Sequence, residues 1–346
     1  EYLYCQDNEE MLDSFQSICR VSKLKTLLNP GEYKYKPWKL FFISKEIRSF
    51  VHDSSFDVVI TGSGIGSLAV GRSLKRTRIS HFRLMGCSLK QVERNIFRYY
   101  KLLKIDNFIN GYFGWEEVFR ELREKSVDDT KFIKTPFGVN TSVFFPMKID
   151  EIKDFKKKLN LNQDKLVIGW VGRICRTMQV WGTVEFAESL IALGFEDFQL
   201  LFVGGGPDHD LLIDQLKNTN LLQRSHITGW VDYEDINKYY NAMDVVPLLA
   251  RDPQGGSIIR EAMAAGKLTV SVDGPSKVQS EIMKEDYSLL VPSKNFAHEA
   301  AQSFLQIYKK GLIKKMGLSA REASIKHLSF NKVANIIDQT IRSNKL

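Results

Sequence analysis

Cysteine and histidine are sparse in this sequence of 346 residues, and neither is arranged as a metal or redox site would require. The four cysteines form no Cys-x-x-Cys pair, and the six histidines form no His-Glu-x-x-His or His-x-His motif. Such pairs are the usual sequence signs of zinc sites and disulfide scaffolds. Their absence argues against a metalloenzyme and indicates isolated thiols in a reducing compartment.

Long apolar runs are missing as well. No stretch reaches the roughly 18 consecutive apolar residues that predict a membrane-spanning helix, and no signal-peptide pattern of basic, apolar and small residues opens the chain. We therefore expect a cytoplasmic protein. The length favours two domains of ordinary size, and an apolar content of 43% is enough to build their cores.

Positive charge exceeds negative charge, with 49 Lys and Arg against 41 Asp and Glu and a net charge of +8. The excess gathers in three basic patches, which comprise Arg72, Lys75, Arg76 and Arg78; Lys153, Lys156, Lys157 and Lys158; and Lys309, Lys310, Lys314 and Lys315. Such runs are ordinarily solvated helix faces, but they also attract nucleoside diphosphates and anionic membrane surfaces, so peripheral contact with a membrane stays open. No zinc finger, RNA-recognition signature or helix-turn-helix pattern accompanies them, and no nucleic acid is expected as a partner.

A glycine-rich turn follows an apolar strand in the first half of the chain. Residues 56–71 read FDVVITGSGIGSLAVG, and the glycines alternate from Gly62 onward. In nicotinamide- and flavin-binding folds such a turn holds the diphosphate, and an acid about 20 residues further on binds the ribose. Here residues 58–91 contain no Asp or Glu, and the sixth position of the motif is Ser67. We interpret the segment as a tight turn that brings backbone close to a neighbour or ligand; a dinucleotide-dependent oxidoreductase is the less favoured alternative.

Strands and helices alternate along most of the chain. In the second half the pattern predicts strands over 165–172, 198–206, 226–231, 244–250, 268–273 and 288–292, and helices over 180–193, 208–218, 233–243, 257–266 and 330–341. In the first half it predicts strands over 39–43, 57–61, 81–86, 107–112 and 131–135. Strands joined by crossover helices form parallel sheets, which bind ligands beyond the carboxyl ends of their strands.

The periodicity fades and the charge rises near residues 138–158, where we place the join between two domains. We predict an N-terminal Rossmann-like domain over 1–150, a C-terminal one over 151–325, and a terminal helix over 326–346 that packs back on the first domain. The predicted fold class is α/β, with two parallel-sheet domains facing each other across a cleft.

The helix predicted to begin near Ser257 has the features of an anion site. Gly255 and Gly256 precede it, and the unpaired N–H groups and partial positive charge of a helix N-terminus suit a diphosphate. Glu261 lies one turn into the helix, where a carboxylate can accept hydrogen bonds from ribose hydroxyls. Arg173 follows a predicted strand and offers a fork of donors to phosphate oxygens. Each residue alone is typical of an ordinary surface, but their joint position at the carboxyl ends of adjacent strands indicates a nucleotide site.

These residues lie in segments that resemble family 4 of the glycosyltransferases, also called group 1, the large retaining group with the two-domain GT-B fold. REAMAAGKLTVSVDG is similar to the family's helix and following strand, WVDYEDINKYYNAMDVVPL and DYSLLVP to the flanking segments, KFIKTPFGVNTSVFFP to the join between domains, and FDVVITG to a strand of the first domain. The resemblance covers about residues 56–341. It implies an enzyme of polysaccharide biosynthesis that moves a sugar from a nucleoside-diphosphate sugar to a glycan, lipid or other acceptor, with retention and without a metal or other cofactor.

The resemblance also implies roles for individual residues. Arg173, Asp252 and Glu261 would be catalytic, with Arg173 on the donor diphosphate and Glu261 on the ribose. The donor-binding residues would be Gly172, Arg176, Gly205, Trp230, Val231, Gly255, Gly256, Ser257 and Ile258, with Trp230 and Val231 bordering the base through backbone groups. Gly62, Ser63 and Gly64 would lie on the acceptor side.

On the donor side this sequence departs from the family pattern at two places. The family pairs two glutamates separated by seven residues, and Pro253 stands where the first is expected, with Asp252 one residue earlier. Met178 and Gln179 occupy the place of a family lysine. A catalytically impaired nucleotide-sugar-binding or scaffold protein of the same fold is therefore the main alternative.

In the first half the pattern departs as well. Thr61 or Gly62 replaces a family histidine, which puts the acceptor-side chemistry in question. The glycine-rich loop that follows the family's first strand is not found in residues 1–38. We therefore expect a truncated or divergent start.

Overall fold

The computed structural model divides the chain into two compact units, one of Glu1–Thr135 with Ile337–Leu346 and the other of Pro136–Ile336. It describes residues 2–4, 21–23, 38–52, 56–62, 70–71, 73–74, 77–85, 109–124, 126–176, 179–251, 256–275 and 277–343. Each unit is built from parallel strands and helices, which confirms the predicted α/β class.

The first unit contains a four-stranded parallel sheet. Its described elements are strands β1 (Tyr2–Tyr4) and β2 (Val21–Lys23), helix α1 (Trp38–His52), strands β3 (Val58–Thr61), β4 (Ser80–Leu84) and β5 (Gly111–Gly114), helix α2 (Glu116–Arg123) and strand β6 (Phe132–Lys134). The sheet has the order β3-β4-β5-β6, and β1 pairs with β2 separately. Tyr112 of β5 and Val118 of α2 are fully buried and belong to one apolar core, so α2 covers the sheet.

The strand predicted over 39–43 is wrong, because these residues lie inside α1. The buried positions of this helix include Ser44, Ile47 and Val51, spaced three and four residues apart as a helix face requires. A short apolar run such as LFFI fits a buried strand or a helix equally well, and only the longer spacing separates the two. The other four strands of the first half are present within a few residues of their predicted bounds.

The second unit continues the alternation. Its helices are α3 (Ile149–Lys158), α4 (Trp181–Ala192), α5 (His209–Asn218), α6 (Ile236–Ala242), α7 (Ser257–Ala264), α8 (Val278–Ile282), α9 (Phe296–Lys309) and α10 (Ile313–Ala323). Helix α11 (Phe330–Ser343) begins in the second unit, and its residues from Ile337 onward belong to the first. Its strands are β7 (Leu166–Val171), β8 (Phe198–Val203), β9 (Ser225–Ile227), β10 (Val245–Leu248), β11 (Leu268–Asp273) and β12 (Ser288–Pro292). The six strands predicted for the second half are therefore confirmed. Every residue of β8 is buried, as expected for a parallel sheet covered on both faces.

The sheet of the second unit is doubly wound. Its order is β12-β11-β10-β7-β8-β9, and all neighbouring strands are parallel. The chain runs outward from β7 to β9 and then crosses to β10 on the other side of β7. The carboxyl ends of β7 and β10 therefore flank the switch point, which is where doubly wound folds bind ligands.

The join between the units falls after Thr135 rather than after residue 150. Residues 136–150 belong to the second unit because its helices hold them. The guanidinium of Arg321 on α10 donates to the carbonyl oxygens of Phe144 and Thr141, at 2.6 and 3.0 Å. The Phe144 side chain is 1% exposed and completes the core of the second unit.

One basic patch is smaller than the sequence suggests. Lys156 is only 8% exposed, and its Nζ lies 3.5 Å from a carboxylate oxygen of Asp244. Lys153, Lys157 and Lys158 on the same helix are exposed. Burial on one side of α3 removes Lys156 from the charged surface. None of the helices in the described ranges combines the length and the apolar composition that crossing a membrane requires.

Candidate active site

The loops that follow β7, β8 and β9 are held together by their backbones. The N–H of Ile174 donates to the carbonyl of Gly205 at 2.9 Å, and the N–H of Gly204 donates to the carbonyl of Gly229 at 3.0 Å. A Cβ at Gly204 would collide with the carbonyl oxygen of Gly172, and Gly204 has a φ of +127°. Only glycine fits this position, so the glycine run after β8 allows the backbones of these loops to pack closely at the base of the site.

Trp230 lies over the loop that follows β8. A Cβ at Gly205 would come within 2.8 Å of its indole Nε1, and the Trp230 side chain is 71% exposed. The neighbouring Val231 is half-buried and packs on the core. Of the predicted base-bordering pair, the structure thus places Trp230 against Gly205, with its indole exposed to a ligand.

Two arginines occupy the loop after β7, and they differ in what they contact. Arg173 is exposed and makes no hydrogen bond or ion pair with any residue in the described ranges. Arg176 is engaged with Asp208, which accepts a 2.6 Å hydrogen bond from its backbone N–H and lies 3.9 Å from its Nε. Arg173 is therefore the freer of the two for an anionic ligand. Met178 lies outside the described residues.

The N-terminus of α7 opens at the same edge of the sheet. Gly256 precedes the helix with a φ of +145°, Ser257 is exposed, and no described side chain caps this end. The side chain of Ile258 is 7% exposed and belongs to the core, so only its backbone N–H is available to a ligand. The predicted residues Asp252 and Gly255 lie outside the described part of the chain.

One carboxylate oxygen of Glu261 is held by a hydrogen bond from a neighbouring helix. The hydroxyl of Tyr240 on α6 donates to its Oε2 at 2.7 Å, and Tyr240 is fully buried. Burial raises the pKa of Glu261, while the Tyr240 hydrogen bond and the charge of Arg260 oppose that rise. Oε1 makes no hydrogen bond to a described residue, so one oxygen of a fixed carboxylate is free to accept ligand hydroxyls.

Sequence reasoning did not single out Tyr240 or Arg260. Tyr240 lies on the buried face of α6. Because a buried tyrosine hydroxyl needs a hydrogen-bond partner, a tyrosine at a buried position of this helix could have indicated a polar neighbour. Burial raises the pKa of Tyr233, and the charge of Glu261 raises it further. Glu261 therefore interacts by a hydrogen bond with Tyr240 and by charge with Arg260 and Tyr233.

The predicted acceptor side is described only in part. Gly62 follows β3 and is exposed, whereas Ser63 and Gly64 lie outside the described residues. A Cβ at Gly62 would meet no atom of a described residue within 4 Å, and the rest of the glycine turn lies outside the described residues, so the close approach expected of it stays a prediction. In dinucleotide folds the glycine turn follows a central strand, and β3 is at one edge of the four described strands.

Comparison with known proteins identifies the second half of the chain. The family model described as "Glycosyl transferases group 1" matches residues 151–323. Over 118 residues the chain is 32% identical to a 2-deoxystreptamine glucosyltransferase of Streptomyces kanamyceticus, a match that covers 34% of this chain and 30% of that protein. The matched segment therefore spans less than a third of that relative.

Solved structures share the fold along nearly the whole chain. A glycosyltransferase from Rickettsia africae ESF-5 aligns with a TM-score of 0.77 and 20% identity, over 97% of this chain and 86% of that one. Anabaena HepE in complex with UDP aligns with a TM-score of 0.79 and 14% identity, over 99% of this chain and 91% of that one. These likenesses confirm the predicted GT-B fold.

Proposed function

Because the chain belongs to the group 1 glycosyltransferases, we propose that it transfers a sugar from a nucleoside-diphosphate sugar to a glycan, lipid or other acceptor, with retention at the anomeric carbon. The observation that carries the proposal is the fixed carboxylate of Glu261. It lies on the helix that follows β10, and β10 neighbours β7 at the switch point, where Arg173 follows β7. A carboxylate and a free guanidinium at this edge suit a ribose and a phosphate.

The donor would lie along the carboxyl ends of the second sheet. Oε1 of Glu261 would accept hydrogen bonds from the ribose hydroxyls, since Oε2 is already occupied by Tyr240. Trp230 and Val231 would border the base beside Gly205. The complexes of Anabaena HepE with UDP and with UDP-glucose support a nucleoside-diphosphate sugar as the ligand class.

The chemical demand is stabilisation of the leaving group. When the bond between the anomeric carbon and the phosphate oxygen breaks, negative charge grows on the β-phosphate. Arg173 and the N–H groups at the start of α7 would stabilise that charge, and fixed donors in a desolvated site are the most effective means of doing so. Positive charge from the protein takes the part that a metal plays elsewhere, so we propose that no metal is required.

The acceptor would enter from the side of Gly62, Ser63 and Gly64. A lipid-linked acceptor would place the protein at a membrane surface, where the exposed lysines of α9 and α10 would meet anionic headgroups. These exposed lysines are Lys309, Lys314 and Lys315, together with Lys310, which directly follows α9.

A panel of UDP-, GDP- and ADP-sugars, assayed for nucleotide release, tests the proposal. Glu261→Gln keeps the shape of the side chain and an acceptor for Tyr240 but removes the charge. Because a hydrogen bond to a charged group contributes about 1.5–3 kcal/mol, we expect kcat/KM to fall about tenfold or more. Glu322→Gln on α10, which changes an exposed carboxylate, is the matched control and should leave kcat/KM unchanged.

Two results would contradict parts of the proposal. Unaltered turnover in Glu261→Gln would show that this carboxylate does not hold the donor. Tight donor binding by the parent protein without release of nucleotide would favour a binding protein that retains the fold over an enzyme.

A further inference from the structure

Arg260 is a half-buried arginine whose guanidinium forms no hydrogen bond or ion pair with a described residue. It lies one turn into α7, directly before Glu261. Its Nε is buried and makes no hydrogen bond, and no described carboxylate lies within ion-pair distance of its side chain. The guanidinium lies over the ring of Phe137, with 5.2 Å between Cζ and the ring centroid. The charge of Glu261 favours the charged form of Arg260, but a partly buried guanidinium that forms no ion pair is still costly.

Two other arginines that stack on a phenylalanine ring have carboxylate partners. Arg224 lies over the ring of Phe198 at the same 5.2 Å, but it also approaches a carboxylate oxygen of Glu196 to 3.5 Å and donates to the backbone carbonyl of that residue at 2.8 Å. Arg123 likewise stacks on a phenylalanine and bonds to two carboxylates. Stacking on a ring therefore does not explain why Arg260 is left unpaired.

The position of Arg260 points to an anionic ligand. Its NH1 lies 3.3 Å from the place that a Cβ on Gly256 would occupy, so the guanidinium lies against the residue that begins α7. This end of a helix already carries partial positive charge, which makes an unpaired cation still less favourable there. The charge of the neighbouring Glu261 favours the charged form of Arg260, but no carboxylate oxygen of Glu261 lies within ion-pair distance of the guanidinium, and its Oε2 accepts from Tyr240. Burial lowers the pKa of Arg260 to about 10, which leaves the side chain charged at neutral pH.

We propose that Arg260 binds the diphosphate of the nucleotide donor, as a second arginine beside Arg173. The inference rests on the proposed function for the identity of the ligand and on the unpaired guanidinium for the anion. The planar fork of arginine matches two phosphate oxygens at once, and the N-terminus of α7 adds backbone donors on the same side. Gly256 gives the ligand room to approach, because a side chain at this φ of +145° would be strained and would crowd Arg260.

Calorimetry with UDP, uridine and inorganic pyrophosphate tests the proposal on the full chain. Arg260→Met keeps an apolar stem on Phe137 and removes the charge. We expect it to weaken binding of UDP and of pyrophosphate about tenfold or more and to leave uridine binding unchanged. Arg260→Lys should bind UDP and pyrophosphate with an affinity between that of the parent and that of Arg260→Met, because lysine retains the charge but lacks the planar fork of donors. Arg224→Met is the matched control for loss of a stacked guanidinium and should bind all three probes like the parent.

The outcomes separate this inference from the proposed function. If Arg260→Met folds and binds UDP and pyrophosphate as the parent does, the inference is overturned and the proposed function stands. If the parent binds no nucleotide but binds pyrophosphate through Arg260, the proposed function fails and the anion site stands. If the parent protein binds neither UDP nor pyrophosphate, both the inference and the proposed function are overturned. Should Arg260→Met not fold, Arg260→Gln replaces it in the same comparison.

Discussion

Replacing Tyr240 by phenylalanine removes one buried oxygen and nothing else from the site. The lost hydroxyl donates to Oε2 of Glu261 at 2.7 Å, from a side chain that is fully buried on α6. The ring would keep its packing on Phe144, whose centroid is 5.8 Å away. The change therefore tests how the charge of Glu261 is maintained, without opening a cavity of any size.

The magnitude follows from the kind of hydrogen bond. A bond to a charged acceptor contributes about 1.5–3 kcal/mol, so the free energy of unfolding at neutral pH should fall by about that amount. The free energy of unfolding of a domain is ordinarily about 5–15 kcal/mol, so the variant should still fold. The bond stabilises the ionised form of Glu261, and its loss therefore raises the pKa of this carboxyl further above the usual value.

In the proposed donor site, binding needs the ionised carboxylate, so we expect affinity to be lost as the pH falls through the pKa of Glu261. With that pKa raised, Tyr240→Phe should lose affinity at a higher pH than the parent does. Burial of Glu261 and the charge of Arg260, which favours ionisation, are the other influences on this midpoint, and both are left in place. Calorimetric titration with UDP from neutral pH downward measures the shift.

Tyr239→Phe is the matched control for this experiment. Tyr239 is the adjacent residue on α6, its ring packs on Phe155 with 5.0 Å between centroids, and its hydroxyl makes no hydrogen bond to a described residue. Its pH profile should match that of the parent. Superimposable profiles for Tyr240→Phe and the parent would refute the reasoning, because Glu261 would then keep its charge without the hydroxyl.

Two further predictions concern stability. Burial lowers the pKa of Lys267 from 10.5 to about 8, so its charged form is disfavoured in the fold; the free energy of unfolding in urea should rise between about pH 8 and about pH 10, and Lys267→Met should flatten that rise. An equal slope in parent and variant would assign the rise to another group. Gly182→Ala would drive a Cβ of α4 into the backbone carbonyl of Leu249 and should destabilise by about 1–3 kcal/mol or more in thermal melts, whereas Gly62→Ala, which meets no atom within 4 Å, should change little; equal melts would show that the backbone gives way at Leu249.

Most of the fold could be predicted from the local periodicity of apolar residues in the sequence. The six strands of the second unit were predictable because each is a short apolar run between turn residues, and their alternation with helices implies a parallel sheet. The same local rule failed over 39–43, where the apolar run is part of α1. The burial of Ile47 and Val51 shows that this segment is a helix, and that burial depends on tertiary packing and not on the apolar run itself.

The candidate site was predictable to the extent that it follows strand ends and helix starts. Glu261, Ser257 and Arg173 could be placed because their elements fix them. The contact between Tyr240 and Glu261 joins residues 21 positions apart on different helices, and no spacing in the sequence announces it. Lys156 shows the converse, since a lysine within a run of charges is buried against Asp244.

Charge at the switch point offers a consistent account of how the second unit could hold an anion. Arg176 is already paired with Asp208, whereas Arg173 and Arg260 make no ion pair with a described residue. One follows β7 and the other lies on the helix after β10, and these strands are neighbours in the sheet. An unpaired cation at the surface costs little, but the half-buried one at the start of α7, where the helix end is itself partly positive, is less favourable. A diphosphate carries more than one negative charge and would meet both arginines, so binding would relieve an arrangement that the empty fold leaves unfavourable.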